Sequence, residues 1–199
     1  MSANIGVIVL AAGAGSRFKQ SGGVGPKQLT PINGKPMLQH SNDLANRLLP
    51  GAVHLVLGCD WESIVGQIVH DEIIVNPDWQ RGLGGSIAYA VQQLQAGPFC
   101  YDALLVMLGD QPYVRQPALT QMIDGYLAAS DSPCCCGYYA GHAGVPAIFP
   151  AALFSRLMSL HGDAGAKSLL ASLDNKIMIP IPEAAIDIDV VDDLNRLVN

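Results

Sequence analysis

The sequence predicts an α/β domain in which a mostly parallel sheet is covered by helices on both faces. Strand and helix signals alternate along the chain. The runs at 5–10 and 103–108 are apolar without a break, and apolar residues make up 50% of the 199 positions against 14% charged. Strands with no polar alternation are buried on both sides, as in a parallel sheet under a helical cover.

The elements follow in order. IGVIVL at 5–10 is the first strand. Residues 35–49 read as a helix opened by Pro36 and stopped near Pro50 and Gly51. A strand at 53–57 leads to a helix that Asp60 can cap, running to about residue 69. A short strand at 73–75, a helix at 84–94 and the strand at 103–108 come next. A helix at 117–129, strands at 134–139 and 147–149, and a helix at 151–160 follow. A short helix at 166–173, a strand at 176–181 and a final helix from about residue 190 complete the pattern. With no linker, repeat or low-complexity tract, residues 1–199 read as one domain.

Composition narrows the function. A net charge of −6 argues against a nucleic-acid partner or an anionic membrane surface. No apolar stretch reaches the about eighteen residues that span a bilayer. MSANIGVIVL has no basic leader before its strand pattern, so no signal peptide is expected and the location predicted is cytoplasmic. Cys134, Cys135 and Cys136 are adjacent, and neighbours on a strand face opposite ways. That is neither disulfide nor zinc spacing, and the cysteines read as small buried residues of a reducing compartment.

In such sheets ligands bind beyond the carboxyl ends of strands. After Leu10 the chain reads AAGAGSRFKQSGGVGPK, a glycine-rich loop whose only charges are Arg17, Lys19 and Lys27. Glycines let backbone amides approach an anion, and the cations could neutralise a triphosphate. The spacing is that of neither a P-loop nor the dinucleotide fingerprint. After Leu108 comes Gly109-Asp110-Gln111-Pro112. A carboxylate at a strand end can hold Mg²⁺, which takes one or two carboxylates and completes its shell with phosphate and water. It can equally cap the turn that follows. Together the two loops describe a metal–nucleotide site.

Six motifs in order, LAAGAGSRF, NPDWQRGLGGSI, LGDQPYV, GHAGVPAIF, HGDAGAK and DIDVVDDLNRL, resemble the molybdopterin cytidylyltransferases from Leu10 to Leu197. The resemblance implies a single Rossmann-like domain of the GT-A type. It also implies transfer of CMP from CTP to the phosphate of molybdopterin, with loss of pyrophosphate. Ala11, Ala12, Gly13 and Gly15 would line base and phosphates, and Arg17 and Lys27 would stabilise triphosphate charge. Gly82 and Ser86 would approach base and ribose, Asp110 would bind Mg²⁺ or Mn²⁺, and Asp189 would be the second metal ligand. An apo-molybdoenzyme that receives the product is the implied protein partner.

Some assignments stay open. Alternation puts Asp187 on the same side as Asp189, and Asp189 alternatively caps the last helix. His142 and the stretch from Asp163 to Lys167 resemble the acceptor side; His142 is otherwise a loop histidine and Lys167 a solvated charge. Trp79 is a candidate to stack on a ring. The insert KQSGGVG precedes Lys27 where the family reaches its lysine sooner, and PKQLTPINGKPML is similar to cytidylyltransferases of methylerythritol phosphate. Those carry DAARP where this chain has GDQP. A sugar- or polyol-phosphate acceptor and a non-catalytic cofactor-delivery protein are the alternative functions.

Overall fold

The structure, a computed structural model, describes residues 3–70 and 72–195. Its strands are β1 (Ile5–Ala11), β2 (Pro31–Ile32), β3 (Lys35–Pro36), β4 (Val53–Leu57), β5 (Glu72–Val75), β6 (Ala103–Leu108), β7 (Cys134–Tyr139), β8 (His142–Pro150) and β9 (Lys176–Pro180). Its helices are α1 (Ser16–Gln20), α2 (Met37–Leu48), α3 (Trp61–Val65), α4 (Gly82–Ala96), α5 (Gln116–Ala128), α6 (Phe154–Met158), α7 (Lys167–Ala171) and α8 (Val191–Asn195).

Seven strands form one sheet in the order β5-β4-β1-β6-β8-β7-β9. All its pairings are parallel except those of β8, which runs against both β6 and β7. The uninterrupted apolar strands have the reason expected. Val7, Val9, Leu55 and Leu105 pack on one face with residues of α2, α3 and α5. Ile8, Leu10, Val56 and Leu104 pack on the other with α4, α6 and α7. Cys135 joins the first face and Cys134 and Cys136 the second. Burial pushes the Cys135 thiol up to about 12, so it stays protonated and inert.

Tight turns redraw some boundaries. The helix expected from residue 35 starts at Met37, because Lys35 and Pro36 pair with Ile32 and Pro31 across Asn33-Gly34. Both turn residues have positive φ, 51° and 77°, the geometry Asn-Gly favours. Ala140-Gly141 makes a similar two-residue turn, which extends the strand expected at 147–149 back to His142. The first glycine loop also contains a helical turn, α1, entered from Gly15 at φ 61°.

A third, smaller core positions the site. Phe18, Ile32, Met37 and Ile188 pack together with Val191 and Leu194 against them. This cluster clamps the segment before α8 onto the first loop, and Ser21 Oγ accepts a 2.9 Å hydrogen bond from the Val191 amide. Among the described residues no helix is long and apolar enough to cross a membrane.

One titratable ring is closed into the sheet core. His54 on β4 is 1% exposed. Its Nε2 lies 2.8 Å from the Tyr101 hydroxyl, and the Phe99 ring meets it edge-on at 4.6 Å. Burial holds the imidazole below its ordinary 6.5, with the Glu72 charge pulling the other way. As the pH falls through 6.5 the unfolded chain takes up this proton and the folded chain resists, so acid favours unfolding. Urea unfolding is therefore expected to show stability falling between about pH 7 and about pH 5.5, with a shallower fall in His54→Gln. Equal slopes in the two proteins would remove His54 as the cause.

Candidate active site

The parallel register puts Leu10 opposite Leu108, so the loops after β1 and β6 leave the sheet side by side. They line a cavity of about 500 Å³ together with the start of α4 and the segment before α8. That volume suits a small-molecule site. Gly109 starts the second loop in close contact with its neighbours. A Cβ there would lie 2.6 Å from Leu38 Cδ1 and 3.2 Å from Ala11 Cβ.

Lys27 is carried into the cavity by a 3-10 turn, Lys27–Leu29, that follows Pro26. Its side chain is 11% exposed, and Nζ donates to Asp110 Oδ2 at 2.9 Å and to Asp189 Oδ1 at 3.2 Å. Arg17 reaches Asp189 Oδ2 at 2.7 Å from a side chain that is 74% exposed. Burial works against the Lys27 charge, but Asp110 and then Asp189 more than offset it, and the ammonium is held above its ordinary 10.5. Gly15 makes room for this arrangement, since a Cβ on it would meet Lys27 Cβ at 2.9 Å. Lys19 turns away from the cavity to Asp60, 2.8 Å distant.

The carboxylate of Asp189 does not cap the last helix. Asp193 Oδ2 accepts the amides of Asp189 and Val190, each at 2.9 Å, and leaves both Asp189 oxygens to Arg17 and Lys27. The Ile188 amide donates to the Asp110 carbonyl at 3.3 Å, which ties the two acidic segments together. Asp187 lies off the cavity lining. Partial burial, then the charges of Asp189 and Asp110, push its carboxyl above the usual range.

The facing wall is the start of α4. Gly82 has φ 83°, and a Cβ on it would lie 2.4 Å from Asp163 Oδ1 and 2.6 Å from the Gly162 carbonyl carbon. The Gly84 amide donates to the Gly162 carbonyl at 2.8 Å, and the Gly162 amide to that of Arg81 at 3.0 Å. These bonds clamp the 161–163 loop and bring Asp163 to the cavity. Ser86 is 3% exposed; its hydroxyl donates to the Gly82 carbonyl at 3.3 Å and accepts from Asn76 Nδ2 at 3.1 Å.

Ala11, Ala12, Gly13, Gly15, Arg17, Lys27, Gly82, Ser86, Asp110 and Asp189 all line the cavity, as does Trp79. His142 and Lys167 do not. His142 opens β8 with its ring 5.2 Å from that of Tyr139, and Lys167 opens α7 on an exposed face. Gln28, Gln80 and Gly109 also contribute to the lining, although the sequence reading gives none of them a place among the site residues. Gln28 gives no signal beyond being polar in a short turn that proves to be buried.

Around the cavity three carboxylates, Asp110, Asp163 and Asp189, meet two cations, Arg17 and Lys27. Three carboxylates against two cations suit a triphosphate that carries a divalent cation better than a bare one. The donor set fits one. Asp110 Oδ1 is buried with no hydrogen-bond partner, beside an oxygen that already shares a cation with Asp189. Among the described residues no group of three or more His, Cys, Asp or Glu forms a full cage. Two carboxylates completed by phosphate and water are the usual Mg²⁺ arrangement.

Known proteins share this architecture. Over 98% of this chain and 97% of the other, the structure resembles the manganese complex of Rv0371c from Mycobacterium tuberculosis H37Rv at 27% identity and TM-score 0.77. A second crystal structure of Rv0371c matches at 28% identity and TM-score 0.80 over 99% of this chain and 98% of that one. A nucleotidyl transferase of Methanothermobacter thermautotroptrophicus, Mth528, shares the fold at 21% identity and TM-score 0.76, over 98% and 95% of the two chains. In sequence, the bifunctional protein GlmU of Stenotrophomonas maltophilia strain K279a is 37% identical over 130 residues, 62% of this chain and 26% of its own length. The chain thus spans about a quarter of the length of the curated relatives it matches. The model of the MobA-like NTP transferase domain matches residues 7–177, and to that family this chain belongs.

Proposed function

We propose that the chain transfers CMP from CTP to the phosphate of a molybdopterin-type acceptor, releasing pyrophosphate. The observation that carries the reading is the bridge of Lys27 between Asp110 and Asp189 beneath a glycine loop. An oxygen of the acceptor phosphate attacks the α-phosphorus of CTP, and the bond to the bridging oxygen of the β-phosphate breaks. This chemistry asks for position and charge more than for a covalent side chain. Asp110 and Asp189 would hold Mg²⁺ or Mn²⁺, which when bound supplies the positive charge the triphosphate needs. Arg17, exposed at the rim, receives the phosphates, and Lys27 stabilises charge on the leaving pyrophosphate. Ala11 and Ala12, 7% and 5% exposed, close the strand end against the base.

The decisive experiment is mass spectrometry of the products formed from a panel of nucleoside triphosphates and phosphorylated acceptors. A cytidylylated pterin is expected. Transfer to methylerythritol phosphate instead would replace the acceptor, and absence of pyrophosphate with every pair would leave a cofactor-delivery protein.

Asp110→Asn preserves the shape of the strand end and removes its charge. Turnover is expected to fall by about two orders of magnitude or more while the circular dichroism spectrum is kept. Near-normal turnover by the folded variant would sink the metal assignment.

Lys27→Ala is expected to cost about 2–4 kcal/mol of transition-state stabilisation, read from kcat/KM. Lys19→Ala, which breaks only the rim pair with Asp60, should change kcat/KM by less than about threefold. The reverse ranking would place the wrong lysine in the site.

Base choice follows from the strand end. The Ala12 methyl takes up room that a purine needs, and steric exclusion of this kind is worth about 1–3 kcal/mol. CTP should be used ahead of GTP, and Ala12→Gly should narrow the gap in kcat/KM. A wild-type protein that prefers GTP overturns the base assignment.

A further inference from the structure

Gln28 follows Lys27 in the same 3-10 turn, and it is 5% exposed. A buried side-chain amide has two N–H bonds to satisfy. Nε2 donates to the Ala11 carbonyl at 2.9 Å and to the Gly13 carbonyl at 2.8 Å. Between them the Ala12 carbonyl accepts the Cys59 amide at 3.0 Å. Three successive carbonyls are therefore held by partners within the protein.

A trans peptide is planar, and its C=O and N–H point in opposite directions. Fixing the carbonyls of 11, 12 and 13 thus fixes the amides of Ala12, Gly13 and Ala14, facing away from those partners. None of these amides donates to another backbone or side-chain group among the described residues. All three residues line the cavity, and nothing lies within 4 Å of where a Gly13 Cβ would stand. The carbonyls matter for a second reason. Left bare on the wall of an anion site, their oxygens repel phosphate.

We propose that Gln28 is a positioning residue for polyphosphate: it caps the Ala11 and Gly13 carbonyls and so sets the amides of 12–14 free to receive phosphate oxygens. One turn of chain then supplies both a charge, from Lys27, and the shape of the loop that faces it. In this role Gln28 acts through the backbone it holds. Asn is too short to span both carbonyls, and Glu brings a carboxylate against them without a donor. The inference rests on the nucleotidyl-transfer reading, since it assumes that a polyphosphate enters this cavity.

The test uses tripolyphosphate with Mg²⁺ as the probe, titrated by calorimetry into the full chain and into Gln28→Leu. Gln28→Met, unbranched and of similar length, serves if the leucine variant does not fold. The expected result is a Kd raised tenfold or more in the variant. In the wild type alone, tripolyphosphate should slow hydrogen exchange at the amides of 12–14. A merely structural role would lower the thermal midpoint and leave both readouts unchanged. Binding by a folded variant within threefold of wild type overturns the role of Gln28 and leaves nucleotidyl transfer standing. A wild-type protein that does not bind tripolyphosphate overturns both.

Discussion

A single ammonium group, largely taken out of water, ties the site together. Lys27 Nζ joins Asp110 and Asp189, residues 83 and 162 positions away in the chain. Burying such a charge is costly unless its partners are close and well aimed, and removing one of them leaves an uncompensated charge behind. Other features of the site follow from this constraint. Gly15 leaves space beside the lysine stem, Gly109 lets the β6 loop come close, and Asp193 takes the helix amides so that Asp189 can face inward. Arg17 completes the set from the surface.

The two walls of the cavity divide the work. On one side the strand ends of β1 and β6 deliver backbone amides and carboxylates, held by a sheet whose central strands are buried up to the cavity. On the other side α4 begins at a glycine that no larger residue could replace, because Asp163 and Gly162 already occupy the space of its side chain. Rigid elements thus hold polar groups that are few and fixed, the condition under which dipoles and charges act on a transition state without first reorganising. Likeness to Rv0371c over nearly the whole length of both chains shows that the fold carrying these two walls is not peculiar to one sequence.

The sequence alone makes the sheet legible, because unbroken runs such as those of β1 and β6 admit few other environments. Asp110 and Lys27 are legible too, one from its place at a strand end and one from its motif. Asp189 is harder to read. Its place in the cavity depends on Asp193 taking the helix amides, and no periodicity reveals that exchange. The hairpin at Asn33-Gly34 carries a local signal, whereas the one at Ala140-Gly141 has only its glycine to announce it. Gln28 is invisible for a different reason. Its partners are main-chain carbonyls, and main-chain acceptors leave no trace in residue identity. His142 and Lys167, expected on the acceptor side, open β8 and α7 outside the lining of this cavity.

The small cluster of Phe18, Ile32, Met37 and Ile188 has a consequence for how the molecule comes apart. It is separate from the two cores that sandwich the sheet, and it holds the acidic segment before α8 with far fewer apolar side chains than either. Regions with little buried surface open at lower free energy than the whole. The 186–195 segment can therefore lift from the first loop while the sheet stays intact, taking Asp189 with it. An opening that begins in this cluster would draw Asp189 out of the cavity while the pairing of the sheet is kept.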